Sequence, residues 1–138
     1  MIDDSSILTI LKKYWGFSSF RPQQEEIIQS VLDGKDTLAL LPTGGGKSIC
    51  FQIPSLAKDG ICLVVSPLIA LMQDQVQNLK SKGIKALMIH SAMSKREIDI
   101  TLDNAAYGNY KFLYLSPERL ETELFQARLK KMTVNSVA

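Results

Sequence analysis

Leu38-Ala39-Leu40-Leu41-Pro42-Thr43-Gly44-Gly45-Gly46-Lys47-Ser48 runs from an apolar stretch through a glycine-rich turn to a Lys-Ser pair that leads into a helical pattern. Three consecutive glycines open backbone dihedrals closed to residues with a β-carbon. Successive N–H groups can then converge on an anion while the following helix adds the positive end of its dipole. The stretch reads as a phosphate cradle. In it Lys47 reaches the β- and γ-phosphates of a nucleotide, and Ser48 supplies a hydroxyl of the kind that ligates Mg²⁺. Gly46-Lys47-Ser48 closes the pattern G-x-x-x-x-G-K-[ST], but Leu41 stands where its first glycine is expected. That departure leaves the chemistry-bearing end intact. The competing reading is a glycine-rich strand-to-helix turn with an incidental lysine.

Upstream of the loop, Ile7, Leu8, Ile10, Leu11 and Tyr14 fall at helical spacing, so a first amphipathic helix is predicted over 5–15, ended by Gly16. The segment Phe17 to Gln24 follows, and Pro22 suits the first turn of a second helix through Ile27, Ile28, Val31 and Leu32. Asp33-Gly34 stops that helix, and Thr37 to Leu41 are expected to form the strand that feeds the loop. Downstream, a helix from Ser48 to about Ile53 is expected to be interrupted by Pro54. The uniformly apolar Ile61-Cys62-Leu63-Val64-Val65 reads as a strand covered on both faces, as in a parallel sheet. Ser66-Pro67 and Ser116-Pro117 each pair a capping residue with proline at a first helical position. Lys85 to Ile89, Lys111 to Leu115 and the terminal Thr133 to Ala138 are further strands, and Ser94-Lys95-Arg96-Glu97 is a capping box. Strand and helix alternate with short connections, which predicts an α/β fold: an open parallel sheet with helices on both faces. Ligands of such sheets bind at the carboxyl ends of the strands, where the glycine loop and both Ser-Pro turns fall.

Composition bounds the reading without deciding it. A chain of 138 residues amounts to about one domain and can bury roughly two-thirds of its unfolded surface. With 46% hydrophobic and 22% charged residues it fits neither a disordered nor a membrane-spanning protein. The N-terminus is acidic where a secretory leader is basic, so a cytoplasmic protein is expected. Cys50 and Cys62, twelve residues apart, suit buried thiols better than a disulfide or a metal site. A net charge of +2 does not by itself argue for nucleic acid. The lysines at 80, 82 and 85 and the bases at 128, 130 and 131 form no continuous stripe, and solvated helix faces explain most of them. His90 reads as a loop histidine.

Read together, the segments resemble the first RecA-like domain of a superfamily 2 helicase, and specifically the RecQ family of DNA helicases. Gly16-Phe17 with Phe20-Arg21-Pro22-Gln23-Gln24 resembles motif 0 of that family, and Leu41 to Ser48 resembles motif I, whose family version also lacks the first glycine. Val65 to Val76 resembles motif Ia, and Leu113 to Leu120 the Ser-Pro-Glu-Arg segment that follows it. The resemblance implies a P-loop RecA-like fold, incomplete at the C-terminus. Residues 1–138 would be the N-terminal part of the domain, with 1–35 a helical lead-in carrying motif 0 and 36–138 the truncated core.

The resemblance further implies ATP and Mg²⁺ as cofactors. DNA, single-stranded and duplex, would be the partner of a parent enzyme that separates strands in the 3′ to 5′ direction, with no role for a membrane. Lys47 is the candidate catalytic residue. Phe17, Arg21, Gln24, Thr43, Gly44, Gly45, Gly46, Lys47 and Ser48 are candidates to hold nucleotide, and Ser48 to hold the metal. A glutamine amide offers donors and an acceptor that match adenine N7 and N6, which makes Gln24 the candidate adenine reader. A solvated first-turn role is its alternative. Phe17 takes the position whose ring packs on the base, with a core aromatic as its alternative. Ser66 and Ser116 are candidates to hold a DNA phosphate, with plain helix capping as theirs. The family's Asp-Glu-x-His segment would follow Ala138, and neither Asp74 nor Glu118 fits its metal-binding role, so the isolated chain is expected to lack activity. A non-catalytic P-loop nucleotide-binding module is the alternative.

Overall fold

The computed structural model describes residues 4–39 and 46–138, and the chain divides into two compact units, Met1–Lys58 and Asp59–Ala138. The first holds three helices: α1 (Asp4–Trp15), α2 (Gln24–Leu32) and α3 (Lys47–Ala57). The helical spacing read in the sequence is the spacing of burial. Ile7 and Leu11 of α1, Ile28 of α2, and Ile49 and Ile53 of α3 form one core, on which Leu8, Ile10, Trp15, Phe20 and Leu32 pack.

Three local expectations change in this unit. Pro22 does not open α2; it lies in a turn before the helix, and Gln23 takes the cap position at φ 73°, a conformation uncommon for any residue but glycine. Pro54 does not interrupt α3, which runs on to Ala57. An internal proline costs a helix about 3 kcal/mol, and burial of Ile49, Cys50, Ile53 and Pro54 itself opposes that cost. Of the strand expected over 37–41, the described residues 37–39 are not in a strand. A strand exists through its ladder, whereas here the Thr37 hydroxyl donates to Lys35 O at 3.0 Å and lies 2.9 Å from Ser30 Oγ, while Leu38 is 86% exposed.

The second unit alternates as predicted: β1 (Ile61–Val65), α4 (Ile69–Ser81), β2 (Ala86–Ile89), α5 (Lys95–Tyr107), β3 (Phe112–Leu115), a 3₁₀ turn (Pro117–Glu121), α6 (Glu123–Leu129) and β4 (Val134–Val137). The strands form one sheet in the order β2-β3-β1-β4, parallel throughout, with Cys62 to Val65 of β1 opposite Phe112 to Leu115 of β3. Alternating side chains serve both faces. Ile61, Leu63, Leu113 and Leu115 pack with Ile98 and Leu102 of α5 and Phe125 of α6. On the opposite face α4 packs against β2 and β3, and the Tyr114 hydroxyl donates to Gln75 Oε1 at 2.7 Å. Helices on both faces explain why the central strands are apolar at every position.

Gly60 sets the entry to β1. At φ 99° it brings its chain against Thr133 O, where any β-carbon would collide, and lets Ile61 N donate to Thr133 O at 2.8 Å. The capping box is present: Glu97 N donates to Ser94 Oγ at 3.1 Å and Ser94 N to Glu97 Oε1 at 3.3 Å. Ser94→Ala is therefore expected to cost about 1 kcal/mol, read as a lower urea midpoint at unchanged slope.

Arg128 fastens α6 to α5 through Asp99 at 2.6 Å and Asp103 at 2.8 Å. Neither Ser-Pro pair opens an α-helix as expected. α4 begins at Ile69, and Ser66 Oγ instead accepts from Leu68 N at 3.2 Å. Ser116-Pro117 opens the 3₁₀ turn, and Thr122 caps α6 by accepting from Phe125 N at 3.3 Å. Among the described residues no helix is long and apolar enough to cross a membrane.

Candidate nucleotide site

Leu41, Thr43, Gly44 and Gly45 lie outside the described residues, so the site is built here from its two flanks. On the loop side, Gly46 caps α3 at φ 75° and ψ 40°, and Lys47 and Ser48 are the first two residues of the helix. Gly46 holds the left-handed cap position, and the first N–H groups of α3 have no partner within the helix. Lys47 is exposed and Ser48 half-buried. An exposed cation, a hydroxyl and a helix N-terminus at one point form a donor set that fits a phosphate with a hard divalent cation.

On the other flank, Phe17 to Gln24 folds back toward the same glycine. Phe17, Ser18, Ser19, Arg21, Gln24, Gly46 and Ile49 line a cavity of about 540 Å³, within the range of small-molecule sites. Phe17 is 49% exposed and stands apart from the helical core, which removes the core-aromatic alternative. Gln24 is 2% exposed, which removes the solvated one. Its Oε1 accepts from Arg21 N at 2.8 Å and its Nε2 donates to Gly46 O at 3.3 Å. One amide thus ties the motif 0 segment to the last glycine of the loop. That approach requires glycine, because a β-carbon at position 46 would run into Gln24 Nε2.

One neighbour escaped the sequence reading. Ile49 gives the cavity an apolar wall, and its signal was its place one residue past the Lys-Ser pair. Cys50 is the buried thiol that was expected, 4% exposed with its sulfur 3.8 Å from the Gly46 carbonyl oxygen. Burial pushes the thiol above its ordinary pKa, opposed by its own backbone, so it stays protonated at neutral pH and acts as packing rather than as a nucleophile.

In the second unit, the Ser66 turn lies at the carboxyl end of β1 and the Ser116 turn at that of β3. Ser66 is partly open, whereas Ser116 is 5% exposed. Glu118 is exposed, and its carboxyl is held below the usual range chiefly by its own backbone N–H. His90 follows β2 and its Nδ1 accepts from Ala92 N at 3.2 Å, the loop role expected of it.

Comparison with known proteins adds a family. Residues 21–137 match the DEAD/DEAH box helicase family. The chain is similar to a probable ATP-dependent DNA helicase RecS of Bacillus subtilis, 47% identical over 126 residues, which cover 91% of this chain and 25% of that protein. It is similar to an ATP-dependent DNA helicase RecQ of Synechocystis, 47% identical over 123 residues, covering 89% and 26% respectively. An ATP-dependent DNA helicase Q1 of Rattus norvegicus is 38% identical over 125 residues, covering 88% and 19%. The chain thus spans about a quarter or less of the length of these relatives.

Proposed function

Because this chain belongs to the DEAD/DEAH box helicase family, we propose that it is the ATP-binding portion of the first RecA-like domain of a RecQ-type, ATP-dependent DNA helicase. The whole protein would couple Mg²⁺-ATP hydrolysis to separation of duplex DNA in the 3′ to 5′ direction, in the cytoplasm or at the nucleoid, or in the nucleus of a eukaryote. Lys47 binds the β- and γ-phosphates, with the backbone of Thr43 to Gly46 around them. Ser48 offers its hydroxyl to Mg²⁺, which when bound neutralises phosphate charge.

Gln24 reads the adenine edge, its amide oriented by Arg21 N and Gly46 O, and the Phe17 ring covers the base. Arg21 lines the same cavity and lies close to the nucleotide. Ser66 holds a DNA phosphate at the turn after β1; Ser116 joins it only if the 3₁₀ turn shifts to uncover its hydroxyl. The chain by itself binds nucleotide without unwinding DNA. The observation that carries this reading is the Gln24 bridge, which joins the motif 0 cavity of about 540 Å³ to the glycine that opens the Lys47 helix. A non-catalytic switch would use the same loop, but nothing in the cavity favours it.

Titration of the chain with a fluorescent ATP analogue and Mg²⁺ tests the proposal. Saturable binding displaced by ATP more readily than by GTP is expected. Absence of binding, or equal displacement by both, overturns the base-selective site.

A further inference from the structure

We propose that the amino edge of the parallel sheet carries a second nucleic-acid contact, a cavity that takes a backbone phosphate and a stacked base of single-stranded DNA. In a wholly parallel sheet every strand starts on one edge, and the connections into the strands collect there. The topology thereby gathers lysines that form no stripe in the sequence. Lys85 directly precedes β2, Lys111 directly precedes β3, Lys82 follows α4, and Lys130 and Lys131 lie between α6 and β4. This edge is opposite the Ser66 and Ser116 turns of the same unit.

The helix dipole accounts for part of this pattern, since cations favour helix C-termini. It does not account for the cavity. Asp59, Gly60, Tyr107, Tyr110, Lys111 and Thr133 line a space of about 470 Å³, in which Asp59 is the sole lining carboxylate among the described residues. Lys111 is drawn into the wall, and loss of water lowers its pKa, opposed by Asp59 and Cys62. An ammonium already partly out of water interacts with an anion more strongly than a solvated one does. Lys85 Nζ sits 4.5 Å from the centre of the Tyr110 ring, and Tyr107 presents its ring at 71% exposure. Close backbone approaches at Gly60 to Thr133 O and at Gly108 to Asn104 O fix the shape of the walls.

Lysines beside an exposed aromatic ring match a single strand, whose phosphates take the charge and whose bases stack on any ring face. An acidic peptide matches the lysines but offers nothing to Tyr107. That the strand is DNA rests on the function proposed above.

Fluorescence anisotropy of a labelled oligothymidine with the full chain tests this. Tyr107→Ala is expected to weaken binding about tenfold. Lys111→Gln should lower the slope of log affinity against log salt by about one, while Lys95→Gln, the same charge change away from the cavity, leaves the slope near wild type. Circular dichroism melts confirm that each variant folds. Oligothymidine binding indifferent to Tyr107 and Lys111 overturns the proposal, as does equal loss in Lys95→Gln. So does a polyglutamate peptide that binds through Lys111 when oligothymidine does not. ATP titration of the same variants separates the two readings. Normal ATP binding with Tyr107-independent DNA binding sinks only the amino-edge contact; lost ATP binding in wild type with Tyr107-dependent DNA binding sinks only the nucleotide site.

Discussion

Lys47→Ala is expected to abolish ATP turnover in the helicase proposed above and to weaken nucleotide binding by the isolated chain about tenfold to a hundredfold, while thermal melting stays where it was. The first two effects follow from chemistry. Lysine contributes a compact cation to phosphates that carry several negative charges, and a hydrogen bond to a charged group is worth about 1.5–3 kcal/mol. The third follows from position. Lys47 is exposed at the first turn of α3, whereas the helix is held by Ile49 and Ile53 in the core below it. Truncating an exposed side chain at a helix start changes stability by roughly 0.5 kcal/mol or less. Nucleotide affinity measured beside a melting curve checks the pair of outcomes. Unchanged turnover would remove Lys47 from the phosphate site, and a large drop in melting temperature would make it structural.

Gln24→Ala is expected to do both kinds of damage at once. The side chain is buried, and its loss leaves Arg21 N and Gly46 O without the amide that joins them. The two bonds lost are part-buried, each worth about 0.5–1.5 kcal/mol, so the urea midpoint of the chain should fall. The preference for ATP over other triphosphates should fall as well, because the Phe17 segment is no longer tied to the loop. Gln24→Glu separates the two roles. It keeps an acceptor for Arg21 N and loses the donor to Gly46 O, so it should retain the local turn and lose the bridge. Competition by ATP and GTP in both variants is the measurement. A base preference unchanged in Gln24→Ala would leave Gln24 a purely structural residue.

Much of the fold was legible because it is encoded over short distances. Ile61 to Val65 reads as a doubly covered strand from five apolar residues alone, and β1 has those bounds. Ser94 and Glu97 announce a helix start through two reciprocal bonds spanning three residues, and both bonds are there. The errors fall where a local signal competes with something further away. Pro54 is a helix breaker in isolation, yet α3 continues through it with its neighbours buried. Thr37 and Leu38 carry β propensity, but the described residues of that segment hydrogen-bond within their own turn. Ser66 looks like a helix cap, but α4 is capped at Leu68; Ser116 does hold the cap position, of the 3₁₀ turn and without a side-chain capping bond, and α6 is capped by Thr122.

The candidate site divides in the same way. The sequence by itself determined the parallel α/β order, the glycine loop ahead of Lys47 and Ser48, and the membership of Phe17, Arg21 and Gln24 in one motif. The first two depend on residue type and spacing within a few turns of chain, and the third is what the resemblance to the RecQ family's motif 0 implies. Only the tertiary structure decided that Gln24 is buried and that its amide crosses twenty-two positions to Gly46 O. It likewise decided that Phe17 stands outside the core, and that lysines scattered from 82 to 131 are placed at one edge of the sheet. Those outcomes depend on which distant groups packing brings within hydrogen-bonding or charge range. No periodicity encodes that choice, because a side chain's partner is selected by the whole fold's burial of apolar surface and not by its neighbours in the chain.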